Sequence, residues 1–174
     1  MTHIKQENKR VMEKDVIIKS TKNKGRGLFA LRYFKKGELI FSYKKGKVVT
    51  KKGLSKLTKW ESDHLDELDR NRFEVMEKPA CFVNHSCDPN TISKGRSYFT
   101  LKPIKKGEEI TVDYRSKGIF KNKWKCWCRS KNCKGYVVSD FFSLSKSKQK
   151  LYLPYTLKVI KKEYSKHEKG VRTL

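Results

Sequence analysis

The chain of 174 residues has no long apolar run, and this absence excludes a hydrophobic stretch able to span a bilayer. Its first fifteen residues are charged throughout, so they do not read as a signal peptide, and an intracellular protein is expected. Arginine is scarce among the basic residues, and lysine supplies nearly all of a net charge of +25. Arginine is the better marker of specific phosphate recognition, so the charge reads as a lysine-rich surface. Non-specific contact with nucleic acid then follows as a by-product. The five cysteines are an odd number, which argues against a disulfide framework and for metal binding or catalysis. Internal repeats and low-complexity linkers are also missing.

What is present is a folded composition. Charged residues make up 35% and hydrophobic ones 36%, but aromatics reach 11%, enough for a core. Val16-Ile17-Ile18, Leu28-Phe29-Ala30-Leu31 and Leu39-Ile40-Phe41-Ser42-Tyr43 read as short strands. They are separated by a loop at Lys22 to Gly27 and a turn at Lys35-Lys36-Gly37-Glu38. Tyr98 to Leu101 and Glu109 to Tyr114 form a second set around the turn Lys105-Lys106-Gly107-Glu108. Between them, Leu54, Leu57, Leu65, Leu68 and Phe73 recur near helical spacing, which predicts one or two helices. That insert holds Glu61, Asp63, Asp66, Glu67, Asp69, Glu74 and Glu77: either a solvated helix face or an acidic wall for a basic partner. Leu157, Ile160 and Tyr164 predict an amphipathic helix near the end, which Gly170 could stop.

Chemistry concentrates in two places. Cys126-x-Cys128-x4-Cys133 offers three thiols within eight residues, and tetrahedral zinc needs a fourth ligand. Cys87, in a polar turn beside Asp88-Pro89, is better placed for this than Cys81, which abuts Phe82-Val83. Lysines and Arg129 around the thiols would offset the negative charge of a four-thiolate site. The second place is Phe82-Val83-Asn84-His85-Ser86-Cys87-Asp88-Pro89-Asn90, a short apolar lead into a dense polar run. Gly25-Arg26-Gly27 alone is an ordinary turn, without the third glycine of a dinucleotide fold.

Taken in order, Gly25-Arg26-Gly27-Leu28-Phe29-Ala30, the Asn84-His85-Ser86-Cys87 run, Gly107 to Tyr114 and the cysteine triplet resemble the SET-domain family of protein lysine methyltransferases with its post-SET zinc segment, in a compact microbial-type form. The resemblance implies a mostly β fold (α+β), a β-clip of small sheets with a knot-like crossing, a helical insert and a C-terminal zinc and helical tail. It implies a flexible arm over residues 1–14, a catalytic domain over 15–118 with the acidic insert at 51–79, a zinc segment over 119–136 and a helical tail over 137–174. S-adenosylmethionine would lie against Gly25, Arg26 and Gly27, held also by Asn84 and His85, with Trp127 on its adenine and Tyr114 nearby. Tyr114 would be the catalytic residue, and Cys87, Cys126, Cys128 and Cys133 would hold structural Zn²⁺.

The reaction implied is methyl transfer to the side-chain amine of a lysine in a protein or peptide, a basic one such as a histone, by a monomer without membrane contact. A competing expectation is an inactive SET-like module that binds nucleic acid or chromatin through its basic surface. Three positions depart from the family pattern. Cys81 stands where many members have Arg, Val112 where many have Phe or Tyr, and the strand around Phe41 lacks the usual acidic residues. The Val112 departure leaves the number of methyl groups added unread.

Overall fold

The computed structural model describes residues 13–168. Of the arm expected over residues 1–14, only Glu13 and Lys14 are described, where they open a 3-10 turn; Gly170 lies outside the described residues. Twelve short strands follow in order: β1 (Val16–Ser20), β2 (Arg26–Ala30), β3 (Leu39–Ser42), β4 (Val48–Thr50), β5 (Leu65–Glu67), β6 (Arg72–Val75), β7 (Asn84–His85), β8 (Thr91–Lys94), β9 (Ser97–Thr100), β10 (Glu109–Val112), β11 (Lys123–Lys125) and β12 (Tyr136–Val138). The helices are α1 (Lys59–Asp63), α2 (Lys146–Tyr152) and α3 (Lys158–Glu168). Among the described residues, no helix is long and apolar enough to cross a membrane.

The strands form four small sheets, as expected for a mostly β fold: β1-β2-β10-β7, β3-β9-β8, β4-β6-β5 and the hairpin β11-β12. Two Lys-Lys-Gly-Glu turns organise the first two sheets. Gly37 and Gly107 take φ of 79° and 86°, a conformation that glycine adopts without steric cost. In each turn a glutamate closes the loop: Glu38 accepts from the Lys35 N–H and Glu108 from the Lys105 N–H, both at 2.8 Å. An isolated bridge between Phe34 and Ile104 joins them. Leu28, Phe34, Ile40, Ile104 and Ile110 are fully buried in the main core at this junction. Each such side chain contributes about 1.5–3 kcal/mol by leaving water.

The insert holds the one or two helices expected and adds strands that the leucine spacing did not show. Its helical content is limited to the 3-10 segment Lys51–Lys56 and the five-residue α1, capped by a Thr58–Glu61 capping box. The rest pairs as strands, with Phe73 opposite both Val49 and Glu67. The leucine spacing hid these strands because the strongest burial signal is the run Phe73-Glu74-Val75, extended backbone whose Glu74 is fully buried against Arg96 at 2.7 Å. The tail behaves as its periodicity predicts. Ile160 and Tyr164 on α3 are buried with Ile92, Phe141, Leu144 and Tyr152 in a second core.

Candidate active site and thiol cluster

The central junction is a parallel pairing of β7 with β10, which sets Thr111 beside Asn84 and Val112 beside His85. This brings together two segments that are remote in sequence. Asn90 locks the pair: its Oδ1 accepts from the Thr111 N–H at 2.9 Å and its Nδ2 donates to the Glu109 carbonyl at 2.8 Å. Thr91 adds a hydroxyl donated to the Thr111 carbonyl at 2.7 Å. Tyr114 leaves the end of β10, and its Oη donates to the Val83 carbonyl at 2.9 Å. Although 38% of the residue is exposed, the hydroxyl end is turned inward. Burial and then Glu109 push its ionisation well above the ordinary tyrosine range, so the hydroxyl stays protonated at neutral pH.

The Gly25-Arg26-Gly27 loop meets this junction from β2. A Cβ on Gly27 would stand 2.7 Å from Glu109 Oε1, 2.8 Å from Thr21 Cγ2 and 2.9 Å from Asn84 Nδ2, so only glycine fits. Asn84 uses that closeness, donating from Nδ2 to the Arg26 carbonyl at 3.0 Å and to Glu109 Oε1 at 2.9 Å. Lys24 completes the polar knot with an ion pair to Glu109 at 2.6 Å. Gly25, at φ 69°, has open space where a side chain would begin.

A cleft of about 1150 Å³ runs from this loop past Cys81, Phe82, Val83 and Asn84, along Val112 and Tyr114, to the insert and Trp124. Asp63, Asp66 and Glu67 line its insert side, and Tyr98 its floor. Most carboxylates of the expected acidic wall are already paired: Glu61 with Lys47, Asp63 with Lys59, Asp66 with Lys117, and Asp69 with Arg72. Glu74 pairs with Arg96, and among the described residues Glu67 and Glu77 enter no ion pair; Glu67 is the one of these two that lines the cleft. Burial lifts its carboxyl to about 7 despite a hydrogen bond from the Ile119 N–H at 2.7 Å.

His85 joins the cleft to the thiols. Its buried ring accepts the Tyr114 N–H on Nδ1 at 3.2 Å, which leaves the proton on Nε2, 3.3 Å from Cys87 Sγ. Burial lowers its pKa to about 4, against the opposing charge of Asp113, so the ring is neutral at pH 7. Asp113 itself is fully buried and held by Arg115 at 2.7 and 2.8 Å. Lys148 from α2 lies 3.7 Å from the same carboxylate and also donates to the Cys87 carbonyl, tying the tail to this turn.

The ligand atoms of His85, Cys87, Cys126 and Cys128 all lie within 4.8 Å of one another. Cys133 stands outside that tight group but reaches the Cys126 thiol as a hydrogen-bond neighbour. Burial pushes the Cys87 thiol far up. For Cys128 burial acts the same way, but hydrogen bonds from Ser130 and the Cys87 N–H outweigh it and hold the thiol at about 6. A set of soft sulfur donors this close is the donor chemistry of a structural zinc site.

Of the residues singled out in the sequence, the structure brings Gly25, Arg26, Gly27, Asn84, His85 and Tyr114 to one junction, with Cys87, Cys126 and Cys128 on its far side. Trp127 is not there: its ring is 48% exposed, with the Lys125 ammonium 4.1 Å from its centroid. Trp124 lines the cleft instead, with its ring 6.2 Å from that of Tyr114. The strand alternation of β11 turns Trp124 inward, a signal that cysteine spacing does not carry. Cys81 is buried at the cleft wall, where desolvation raises its thiol pKa. Sequence reasoning missed Lys24 and Asp113, which act through ion pairs, and Asn90 and Lys148, which act through backbone groups; none of the four leaves a spacing signature.

Comparison with known proteins agrees with this geometry. The SET domain pattern matches residues 25–115. A variant-silencing SET domain-containing protein of Plasmodium falciparum is 32% identical, over 71% of this chain and 6% of its own length. The histone-lysine N-methyltransferase Set2 of Drosophila melanogaster is 30% identical, over 69% of this chain and 6% of its own. A Saccharomyces cerevisiae histone-lysine N-methyltransferase, H3 lysine-36 specific, is 28% identical, over 75% and 20% respectively. The chain thus spans only a small part of these relatives. The methyltransferase domain of human SETMAR shares the fold, with a TM-score of 0.57 at 24% identity, over 71% of this chain and 57% of that one. With its pattern matched across the segment that builds the cleft, this chain belongs to the SET-domain family.

Proposed function

We propose that the chain is an S-adenosylmethionine-dependent protein-lysine N-methyltransferase with a structural zinc in its post-SET segment. The observation that carries this reading is the Tyr114 hydroxyl. It is held on the Val83 carbonyl at 2.9 Å, where the Gly25–Gly27 loop, Asn84 and Val112 meet in one cleft. The open backbone at Gly25 and the tight fit at Gly27 make a cradle without side chains, suited to a cofactor held through backbone groups. When bound there, S-adenosylmethionine supplies an electrophilic methyl group on a positively charged sulfur.

The chain's residues then have to present a neutral amine to it. A lysine with pKa near 10.4 is neutral in roughly one molecule in a thousand around pH 7, so the channel must favour deprotonation. Desolvation between Tyr98, Val112 and Tyr114 does so. The Tyr114 hydroxyl gives its proton to the Val83 carbonyl, so its oxygen and that carbonyl both act as acceptors for the amine N–H groups and leave the lone pair free, and a hydroxyl with so raised a pKa is a positioning dipole rather than a base. Alignment of amine and methyl is the main source of rate in such an in-line displacement.

We assign Cys87, Cys126, Cys128 and Cys133 as the four zinc ligands; His85 supports this choice, because with Nδ1 accepting the Tyr114 N–H its Nε2 carries a proton facing Cys87. The acidic residues on the insert side of the cleft, and relatives named as histone-lysine methyltransferases, favour a basic protein as substrate. The test is incubation with isotopically labelled S-adenosylmethionine and a panel of histones and lysate proteins, followed by mass spectrometry. Label on lysine side chains is expected; cofactor bound but label confined to other residues would overturn the assignment.

A further inference from the structure

The β11–β12 hairpin presents a second surface, on the side away from the cleft. Between Asp113 and Asp140 the sequence contains no carboxylate, and every charged side chain there is Lys or Arg. Lys125 pairs across the hairpin with Tyr136, and Lys123 with Val138, so these four share the face opposite Trp124. Two large rings stand exposed among the cations: Trp127 at 48% and Tyr136 at 43%. The ammonium groups of Lys125 and Lys123 sit over them, 4.1 and 4.4 Å from the ring centroids. Among the described residues, none of Lys121, Lys123, Lys125, Arg129, Lys131 and Lys134 enters a salt bridge, whereas the insert's carboxylates mostly do.

We propose that this hairpin face is a docking surface for single-stranded nucleic acid. The lysines would contact successive phosphates, and Trp127 and Tyr136 would stack on unpaired bases, which displace the ammonium groups toward those phosphates. An acidic peptide would satisfy the charges and leave the rings without planar partners. A duplex would satisfy the charges while keeping its bases covered. Charge combined with stacking is the pattern of single-strand recognition. This surface is separate from the methyl-transfer site, so its failure and the failure of that reading are distinguishable.

The test uses the full zinc-loaded chain and a fluorescent single-stranded oligonucleotide, titrated by anisotropy at several salt concentrations. The triple variant K123Q/K125Q/K134Q is compared with K158Q/K162Q/K166Q on α3, which removes equal charge from exposed lysines elsewhere. The hairpin triple should weaken binding more than about tenfold and flatten the salt slope by about 2, three contacts at about 0.7 each. The α3 triple should change affinity less than about twofold. Trp127→Ala should weaken single-strand binding several-fold and leave the salt slope unchanged, with zinc content and circular dichroism reporting that the hairpin remains folded. Equal losses in the two triples, or no effect of Trp127→Ala, would overturn the proposal. So would binding of a duplex or polyglutamate as tight as that of the single strand. The Tyr114→Phe chain should bind the oligonucleotide normally.

Discussion

The two halves of the cleft are held together by different physics. On one side, β1, β2, β7 and β10 carry Asn84, Val112 and Tyr114 on strands whose inner faces are packed with Leu28, Ile110 and Phe82. On the other, the segment from residue 121 to residue 136 has no buried side chain, and two of its residues take positive φ without being glycine. The first half is shaped by burial and would keep its form with its ligands absent. The second has almost no core of its own, and under the proposed zinc site its thiols would hold it as a lid over the cofactor. Catalytic geometry and lid geometry should therefore fail separately.

Tyr114→Phe makes the sharpest cut through the strand-built half. It removes one hydroxyl and one hydrogen bond, a loss of about 1 kcal/mol in stability. Turnover should fall by roughly 10²–10³-fold, since the lost dipole acts where the amine is oriented. Cofactor binding by calorimetry and zinc content should stay near those of the parent. Near-normal turnover would remove Tyr114 from the mechanism. Metal chelation, or Cys128→Ser, should do the converse. Amide protection should collapse over residues 121–136 and persist in β1, β2 and β10, while cofactor affinity drops more than about tenfold as the lid is released. Cys81→Ser is the control, because Cys81 stands outside the thiol cluster.

Gly27→Ala tests how tightly the cofactor cradle is packed. Its new methyl would meet Glu109, Thr21 and Asn84 at 2.7–2.9 Å, an overpacking that costs about 1–3 kcal/mol. The displaced Asn84 should also weaken cofactor binding. Gly25→Ala enters open space and should cost about 1 kcal/mol in stability alone, through its left-handed backbone. Equal effects on cofactor binding at both glycines would show that Asn84 is not what the loop positions.

The same contrast explains what the sequence revealed. The short strands and both Lys-Lys-Gly-Glu turns were legible because each is a local pattern of apolar alternation or turn chemistry. The amphipathic α3 was legible for the same reason, with Ile160 and Tyr164 at helical spacing. The meeting of Asn84 with Tyr114 was not local. It rests on a parallel pairing of residues 27 apart in the chain, Asn84 with Thr111, and only the family resemblance placed the two segments side by side. The insert was read only in part: its short helices were expected, but leucine spacing carried more weight than the extended run Phe73-Glu74-Val75 and hid its strands. Trp127 drew attention by lying between two cysteines, while strand alternation made Trp124 the ring that faces the cleft.

The smallest expected effect lies where the insert touches the second half. Glu67 on β5 accepts the N–H of Ile119, which leads into the hairpin, at 2.7 Å. Burial, with the neighbouring Asp66 adding to it, lifts its carboxyl from 4.5 to about 7. The folded state therefore binds this proton more tightly than the unfolded chain does. The stability gained from it is fully present below pH 4.5 and is lost as pH rises through about 7, because the unfolded chain releases the proton first. Glu67→Gln keeps an acceptor oxygen for Ile119 and removes the ionisation. The variant should match the parent in urea melts near pH 4.5 and exceed it near pH 8 by about 1 kcal/mol, the modest value expected for a carboxyl that faces an open cleft. A gap between the two that does not change with pH would mean that the carboxyl ionises as freely in the fold as in the unfolded chain. In that case the insert would hold the hairpin through the hydrogen bond alone, and burial of the carboxyl would play no part.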